Sequence, residues 1–168
     1  MNSTPVLSTK AVCKSFGGLH AVRDVTLDFH TGQVDVVIGP NGAGKTTLIN
    51  LLSGDLTPTS GQVIYRGQDI TSMPPHRISQ LGVGRSYQRT NIFPEFTCYR
   101  NVWLAAQSRM RSSMRFFRPA SARKDVAARA DRAIELAGLT HRARTVAANV
   151  SHGEQRQLEV AMLLATEP

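Results

Sequence analysis

The fold is decided by the stretch Gly39-Pro40-Asn41-Gly42-Ala43-Gly44-Lys45-Thr46, which matches the pattern G-x-x-x-x-G-K-[ST]. Its glycines let successive backbone N–H groups point at one anion, because glycine adopts conformations that a Cβ forbids. A helix that follows such a loop turns the positive end of its dipole toward the same anion. The stretch therefore predicts a site for the phosphates of a nucleotide, in which Lys45 reaches the β- and γ-phosphates and the Thr46 hydroxyl binds Mg²⁺.

The residues on either side of the loop predict the context that a phosphate site requires. Residues 34–38 are a short apolar run, interrupted by Asp35, and predict a buried strand. Residues 46–53 predict a helix that Gly54 ends. Strand, loop and helix in this order favour a nucleotide site over a chance match, although many classes of enzyme share the arrangement.

Two longer strands are expected before the loop. Residues 6–16 and 19–29 are rich in apolar and β-branched residues, and Gly17-Gly18 separates them, which predicts an antiparallel pair. Shorter elements are expected after it: a hairpin of 62–65 with 68–70 around Arg66-Gly67, a short helix that Pro74-Pro75 opens and that runs through Leu81, and a strand over 83–87.

The second half of the sequence predicts helices. Apolar residues recur at helical spacing over 102–106, 126–137 and 158–165, and Gly138 follows the second of these segments as a C-cap. Ser151-x-x-Glu154 is the pattern of a capping box at the start of the last helix. The predicted fold class is α/β, with a P-loop core, an antiparallel β subdomain at the N-terminus and a helical subdomain.

Composition narrows the class of protein without naming a partner. The 168 residues are 41% hydrophobic and 19% charged, which is typical of a globular chain, and the formal net charge of +8 suits an anionic partner such as a nucleotide, a nucleic acid or a lipid surface. No apolar run approaches the roughly 18 residues of a membrane span, and the first residues do not form a signal-peptide pattern. The distant Cys13 and Cys98 predict neither a disulfide framework nor a zinc site, and favour a reducing compartment.

A basic stretch without acidic residues lies between Glu95 and Asp125. It is compatible with a solvated insertion, with a face that touches the membrane surface or membrane subunits, and with a nucleic-acid surface. No nucleic-acid-binding motif accompanies the charge, so we expect no nucleic acid as partner. The basic residues are Arg100, Arg109, Arg111, Arg115, Arg118, Arg123 and Lys124.

Four segments in a fixed order resemble the ATP-binding domains of ABC-type ATPases. They are the aromatic residue Phe16, the loop 39–48, Gln88 in Ser86-Tyr87-Gln88-Arg89, and Val150-Ser151-His152-Gly153-Glu154-Gln155-Arg156. The last segment is similar to the LSGGQ signature, with Val150, His152 and Glu154 in place of leucine, glycine and glutamine. Residues 14–22, 93–97, 101–102 and 151–160 further resemble the ATP-binding subunits of branched-chain amino acid importers. Urea importer ATPases share much of this pattern.

The resemblance implies a role for each matching residue. Lys45 and Gln88 are the implied catalytic residues, Thr46 and Gln88 the implied Mg²⁺ ligands, and Phe16 the ring that stacks on adenine. From the residues alone, Phe16 is also compatible with a core aromatic and Gln88 with a surface glutamine. The implied ATP contacts are Phe16, Gly39, Pro40, Asn41, Gly42, Ala43, Gly44, Lys45, Thr46 and Thr47. The implied contacts to a second ATP, held by a partner subunit, are Ser151, His152, Gly153 and Glu154.

The resemblance also implies the assembly. The expected partners are a second ATP-binding subunit in a homo- or heterodimer, membrane permease subunits and, indirectly, a periplasmic solute-binding protein. The expected place is the cytoplasmic face of the inner membrane, with ATP and Mg²⁺ as cofactors and ATP-driven import as the function. A soluble ABC ATPase acting on nucleic acid and a non-hydrolysing nucleotide-binding fragment remain the alternatives.

The expected organisation follows the four segments. Residues 1–88 are expected to form the β subdomain and P-loop core, 89–150 the helical subdomain, and 151–168 the signature and its helix. ABC ATPases continue beyond this point into an apolar strand ending in Asp-Glu, which these 168 residues do not contain. We therefore expect a partial domain, incomplete at its C-terminus, that holds ATP but does not hydrolyse it efficiently alone.

Overall fold

The computed structural model describes residues 4–87, 91–108 and 124–168 of the chain. These residues fall into two compact units, which we name the β unit (Met1–Leu81) and the helical unit (Gly82–Pro168). Two predictions lie outside the described residues: the one for Gln88, and the one for the part of the basic stretch that spans 109–123.

An antiparallel sheet of four strands forms the frame of the β unit. Strands β1 (Leu7–Phe16) and β2 (Leu19–Phe29) pair from Leu7 opposite Phe29 to Phe16 opposite Leu19, which confirms the predicted hairpin. Strand β3 (Ser60–Tyr65) pairs with β1 on its other side and with the short β4 (Gln68–Asp69), so the order is β2-β1-β3-β4.

Two helices complete the β unit, and both were predicted. Helix α1 (Lys45–Leu52) follows the glycine-rich loop and buries Leu48, Leu51 and Leu52, the spacing of one helix face. Helix α2 (Pro75–Leu81) buries Ile78. The core of this unit also includes apolar residues of the sheet and its loops: Val12, Val22, Val63, Tyr65 and Ile70.

The buried strand predicted over 34–38 is wrong. These residues form no strand, and the side chains of Val34 and Ile38 are 91% and 86% exposed. Apolar sequence alone does not make a strand, because its N–H and C=O groups need ladder partners. Within the described ranges, the sheet β2-β1-β3-β4 provides none for 34–38. The strand predicted over 83–87 is wrong for the same reason.

In its described residues, the helical unit contains three α-helices and two short 3₁₀ helices. Helices α3 (Cys98–Ser108), α4 (Lys124–Leu136) and α5 (His152–Ala165) pack against one another in pairs. The 3₁₀ helices Thr140–Arg142 and Ala147–Asn149 lie between α4 and α5. The core contains Val102, Ala106, Val126, Ala130, Ile134, Leu139, Ala147, Leu158 and Ala161. Gly138, with φ of 71°, ends α4 as predicted.

A completely buried asparagine fixes the turn before α3. Asn101 accepts a hydrogen bond from the Phe93 N–H at 2.7 Å, and its side-chain amide donates to the Phe93 and Thr97 carbonyls at 3.0 and 3.1 Å. The same turn accepts backbone hydrogen bonds from Ala147 and Ala148, each 2.9 Å long. Asn101 therefore supports the segment before α5 indirectly, through the turn that Ala147 and Ala148 contact.

In the three described ranges, no helix combines the length and the hydropathy that a membrane crossing requires.

Candidate functional site

The glycine-rich loop leads directly into α1. Its last residue, Gly44, is the N-cap of α1 and has a left-handed backbone, with φ of 82° and ψ of 5°. Among the described residues, no side chain caps this helix start, and no acidic residue lies in its first turn. The first N–H groups of a helix have no partner within the helix. This helix start therefore offers donors and a positive dipole end to an anion.

The side chain of Lys45 bends back over the loop. Its Nζ donates to the carbonyl oxygens of Gly39 and Pro40 at 2.6 and 2.7 Å. The Ala43 N–H closes the turn by donating to the Pro40 carbonyl at 3.3 Å. The ammonium group is thus held at the loop, where a phosphate bound by the loop amides would meet it.

Gly42 and Gly44 differ in what surrounds them. Both have positive φ, 84° and 82°, which disfavours any residue with a Cβ. A Cβ on Gly42 would meet nothing within 4 Å, whereas one on Gly44 would overlap the backbone carbonyl of Ala21 in β2. The close approach of the loop to β2 therefore requires glycine at 44.

The other loop residues predicted to contact ATP lie around these two glycines. Asn41 and Gly42 form a turn and are exposed, as is Thr46 in the first turn of α1, while Thr47 is half-buried. An open cleft of about 290 Å³ lies beside them in the β unit. Its lining includes Ala21, Val22, Val37, Ile38, Gly44 and Lys45.

Phe16 is placed at the hairpin end of β1. Its ring is 48% exposed, so the interpretation of Phe16 as a core aromatic is wrong. It pairs with Leu19, and the Ala21 carbonyl that touches the loop at Gly44 is two residues, roughly 7 Å, further along β2. The Lys14 ammonium lies 5.3 Å from the centre of the Phe16 ring. One cation therefore lies over an exposed ring near the phosphate loop.

The second candidate region is the start of α5 in the helical unit. Ser151 is the N-cap; its Oγ accepts from the Glu154 N–H at 3.3 Å, and the Ser151 N–H donates to Glu154 Oε2 at 2.8 Å. This reciprocal pair confirms the predicted capping box. Ser151, His152 and Gly153 are all exposed.

Two side chains that precede this region in the sequence lie close to the Glu154 carboxylate. Arg142 Nε donates to Glu154 Oε1 at 2.8 Å, and His141 Nε2 lies 3.6 Å from the same oxygen. The Arg142 guanidinium, followed by the N–H of Ser151, lowers the pKa of Glu154 from its ordinary 4.5 to about 2. Glu154 is therefore ionised at neutral pH and paired with a cation.

The second turn of α5 contacts the chain on both sides of residues 88–90. Arg156 donates to the Tyr87 carbonyl at 3.1 Å and to Glu159 Oε2 at 2.7 Å, and the other oxygen of Glu159 accepts from the Asn91 N–H at 2.7 Å. Gln88 itself lies outside the described residues. The ion pair between Arg156 and Glu159 therefore contacts the residues on both sides of 88–90, the segment that contains Gln88.

Sequence reasoning missed Lys14, Arg142 and Glu159. Arg142 and Glu159 are distant in sequence from the groups that they contact: Arg142 lies twelve residues before Glu154, and Glu159 lies 68 residues after Asn91. Lys14 lies only two residues before the Phe16 ring that it contacts, but no motif marks that contact. One signal was present for Arg142. A carboxylate in place of the glutamine of the signature indicates that a cation lies nearby, although it does not say which one.

Metal binding by side chains alone has no support in the described part of the chain. No group of three or more histidine, cysteine, aspartate or glutamate residues is gathered there. Mg²⁺ usually takes one or two protein ligands, with water and substrate phosphates completing its coordination. The exposed hydroxyl of Thr46 at the start of α1 fits that mode, because it lies beside the loop that would hold the phosphates.

Comparison with known proteins identifies the family of the chain. A family model described as ABC transporter matches residues 22–168. The chain is 35% identical to the high-affinity branched-chain amino acid transport ATP-binding protein LivG of Escherichia coli K12, and 36% identical to the BraF protein of Pseudomonas aeruginosa with the same description. Each alignment covers 99% of this chain and 67% of the relative.

A solved structure shows the same fold. It is described as the ADP conformation of an ATP-binding cassette of an ABC transporter; it is 27% identical, with a TM-score of 0.85, over 99% of this chain and 66% of that one. A nucleotide-free cassette from an ABC transporter is 28% identical, with a TM-score of 0.81, over 97% and 66%. The predicted α/β fold class is therefore confirmed. The chain belongs to the family of ABC transporter ATP-binding domains.

Proposed function

We propose that this chain is the ATP-binding subunit of an importer and couples ATP binding and hydrolysis to the uptake of branched-chain amino acids. The observation that carries the proposal is the start of α1, where donors without a side-chain cap and the Lys45 ammonium converge on the glycine-rich loop. The solute is supported by the relatives at 35% and 36% identity, which are described as branched-chain amino acid transport ATP-binding proteins. The direction of transport is inferred from the resemblance of the sequence to importer subunits.

ATP is proposed to bind along the hairpin end of the sheet and the loop. The loop amides and Lys45 would contact the phosphates, and Phe16 would stack on adenine. Thr46 and Gln88 would hold Mg²⁺, which neutralises charge on the β- and γ-phosphates when bound. The residues assigned to the nucleotide are Phe16, Gly39, Pro40, Asn41, Gly42, Ala43, Gly44, Lys45, Thr46 and Thr47.

The start of α5 is proposed to bind the γ-phosphate of a second ATP, held by another ATP-binding subunit. Ser151 and the N–H groups of His152 and Gly153 would supply the donors. Each subunit would then complete the other's site in a pair, which is the usual consequence of two-fold symmetry. The pair would lie on permease subunits at the cytoplasmic face of the membrane, with Gln88 and the helical unit toward them.

The proposed sites divide the chain into three segments. We propose that 1–88 form the nucleotide-binding subdomain, that 89–150 form the helical subdomain and that 151–168 carry the signature.

Calorimetric titration with Mg-ATP tests the nucleotide site. Lys45→Ala removes the ammonium at the loop and should weaken binding by about a hundredfold, the scale of a lost charge-assisted phosphate contact. Lys10→Ala removes an equal charge from an exposed position of β1 and should leave affinity unchanged. Equal affinities of the two variants, or no binding by the wild type, would contradict the proposal.

Reconstitution with the permease in vesicles tests the solute. ATP-dependent uptake of labelled leucine above that of labelled urea is the expected result. Uptake of urea alone would replace the branched-chain assignment by the amide one. Retention of the protein by nucleic acid, without any ATP-dependent uptake, would favour the soluble ATPase instead.

A further inference from the structure

Glu154 creates an electrostatic problem at the proposed signature site. It is a carboxylate at the third position of α5, where the family signature has a neutral glutamine. The same helix start is proposed to receive a γ-phosphate. Two anions at one helix N-terminus repel each other and compete for the same N–H donors.

In the structure, the Glu154 carboxylate has a hydrogen-bond partner on each oxygen. One oxygen accepts from the Ser151 N–H at 2.8 Å, and the other accepts from Arg142 Nε at 2.8 Å. The His141 imidazole Nε2 lies 3.6 Å from Glu154 Oε1, and the Glu154 side chain is only 17% exposed. Both oxygens of the Glu154 carboxylate therefore already accept a hydrogen bond, one from the N–H of the N-cap residue and one from Arg142.

The donors that an incoming phosphate needs are left available. Ser151 Oγ accepts from the Glu154 N–H, so its own proton can still be donated. The N–H groups of His152 and Gly153 belong to the exposed first turn of α5, and in the described part of the chain they have no protein acceptor. These three donors belong to consecutive exposed residues at the start of α5.

Arg142 is held in place independently of the signature. It lies in the 3₁₀ helix Thr140–Arg142; its N–H donates to the Leu139 carbonyl at 2.9 Å and its carbonyl accepts from the Thr145 N–H at 2.8 Å. An arginine is charged at every physiological pH. A carboxylate that stays ionised at neutral pH therefore has a permanent counter-charge from a fixed backbone position.

We propose that Arg142 is a positioning residue of the signature site, which neutralises Glu154 and holds its carboxylate against the N-cap so that Ser151, His152 and Gly153 can bind a phosphate of a second nucleotide. The inference rests on the proposed function of the start of α5. It assigns a role to a residue outside the signature stretch, and it explains how a carboxylate is accommodated at the helix start that is proposed to bind phosphate.

The test measures association of the ATP-binding subunits by analytical ultracentrifugation. The full-length protein, alone and with its companion ATP-binding subunit, is studied with ADP and with the β,γ-imido analogue of ATP. Arg142→Ala should weaken analogue-dependent association by about tenfold, since each of two symmetric sites loses about threefold, the scale of a charge at a helix terminus. Affinity of the separate subunit for ADP, measured by calorimetry, should not change.

Rescue separates charge from packing. Adding Glu154→Gln to Arg142→Ala removes the uncompensated anion but keeps the capping box, because glutamine serves equally at that position. Association should return to within about twofold of the wild type. Arg144→Ala removes one charge from an exposed position two residues away and should have no effect. Arg142→Met keeps the length of the side chain and replaces the alanine variant if that variant unfolds.

Several results would overturn the proposal. Unchanged association in Arg142→Ala would show that the charge is irrelevant, and a double variant as weak as the single one would show that Arg142 acts through packing alone. A wild type that binds the analogue but does not associate would refute the second-ATP site, and this inference with it. A wild type that does not bind the analogue at all would refute the nucleotide site in the β unit.

Discussion

Two helices of this protein begin in opposite ways. Helix α1 of the β unit starts at Gly44 in a left-handed conformation; in the described structure, neither a side-chain cap nor an acidic residue lies at its first turn. Helix α5 of the helical unit starts at Ser151 with a complete capping box and with Glu154 paired to Arg142. Every helix start presents N–H groups that need partners. The two units meet this need differently.

The difference separates a helix start that depends on a ligand from one that supports itself. The donors of α1 are left for phosphate, so bound nucleotide should stabilise the β unit by a free energy that grows with the logarithm of the nucleotide concentration over its Kd. The donors of α5 are partly satisfied by its own side chains, so that helix start is formed before any second nucleotide arrives. Four changes test this contrast.

The largest effect is expected from Gly44→Ala. The new Cβ would overlap the Ala21 carbonyl and would sit at positive φ, which together should cost at least about 3 kcal/mol of unfolding free energy and abolish ATP binding. Thermal unfolding and calorimetry measure both. Gly42→Ala is the matched control: its φ is also positive but its surroundings are open, so about 1 kcal/mol is expected. Equal losses in the two variants would remove the steric argument.

The next effect concerns the support of α5 from a distance. Asn101→Leu removes the completely buried side-chain amide, leaves the N–H and C=O of Phe93 without their side-chain partner and should cost about 3 kcal/mol in denaturant unfolding. Gln107→Leu makes the same change at a half-buried position later in α3 and should cost less than about 1 kcal/mol. An Asn101 variant as stable as the wild type would show that the turn before α3 does not support α5.

A smaller effect is expected at the N-cap of α5. Ser151→Ala should cost about 1 kcal/mol of unfolding free energy, whereas Ser151→Gly should cost only a few tenths, because glycine is a tolerated N-cap. Both variants lack the hydroxyl proposed to contact phosphate, so both should lose nucleotide-dependent association equally. If association followed stability instead, with only the alanine variant impaired, the hydroxyl would have no role in phosphate binding.

The smallest effect is the pH dependence contributed by Glu154. Its pKa is lowered from 4.5 to about 2 in the folded protein, so the ionised group stabilises the fold above pH 4.5, and this stabilisation is lost as the pH falls toward 2. The difference in unfolding free energy between wild type and Glu154→Gln should therefore shrink across that window. A difference that stays constant from pH 5 to pH 2 would mean that Arg142 does not hold the carboxylate.

Local patterns predicted most of the fold. The β1–β2 hairpin, α1, the helices of the second half and the capping box depend on residues within a few positions of one another, where spacing and turn chemistry decide. The strand predicted over 34–38 failed because a strand needs partners far away in sequence, and composition does not report whether they are present. The exposure of Val34 and Ile38 is the direct sign of that missing pairing.

The residues of the candidate site fall into the same two groups: those that a local motif predicts and those that depend on contacts distant in sequence. The loop 39–46 and the Ser151–Glu154 pair could be found because each is a contiguous motif. Arg142 and Glu159 could not, because each contacts its target only after the chain has folded back on itself. The place of Gln88 remains a prediction, while both of its flanks are fixed by contacts to α5 that no motif encodes.

The Lys45 ammonium, held by the carbonyls of Gly39 and Pro40, has a consequence for the thermodynamics of nucleotide capture. A free lysine side chain loses up to about 2 kcal/mol of rotamer entropy when it is immobilised. Here that loss occurs when the loop folds, so an arriving triphosphate exchanges the partners of an already ordered cation. Preorganisation of this kind lowers the entropy cost of nucleotide binding, because the lysine side chain has already lost that entropy during folding.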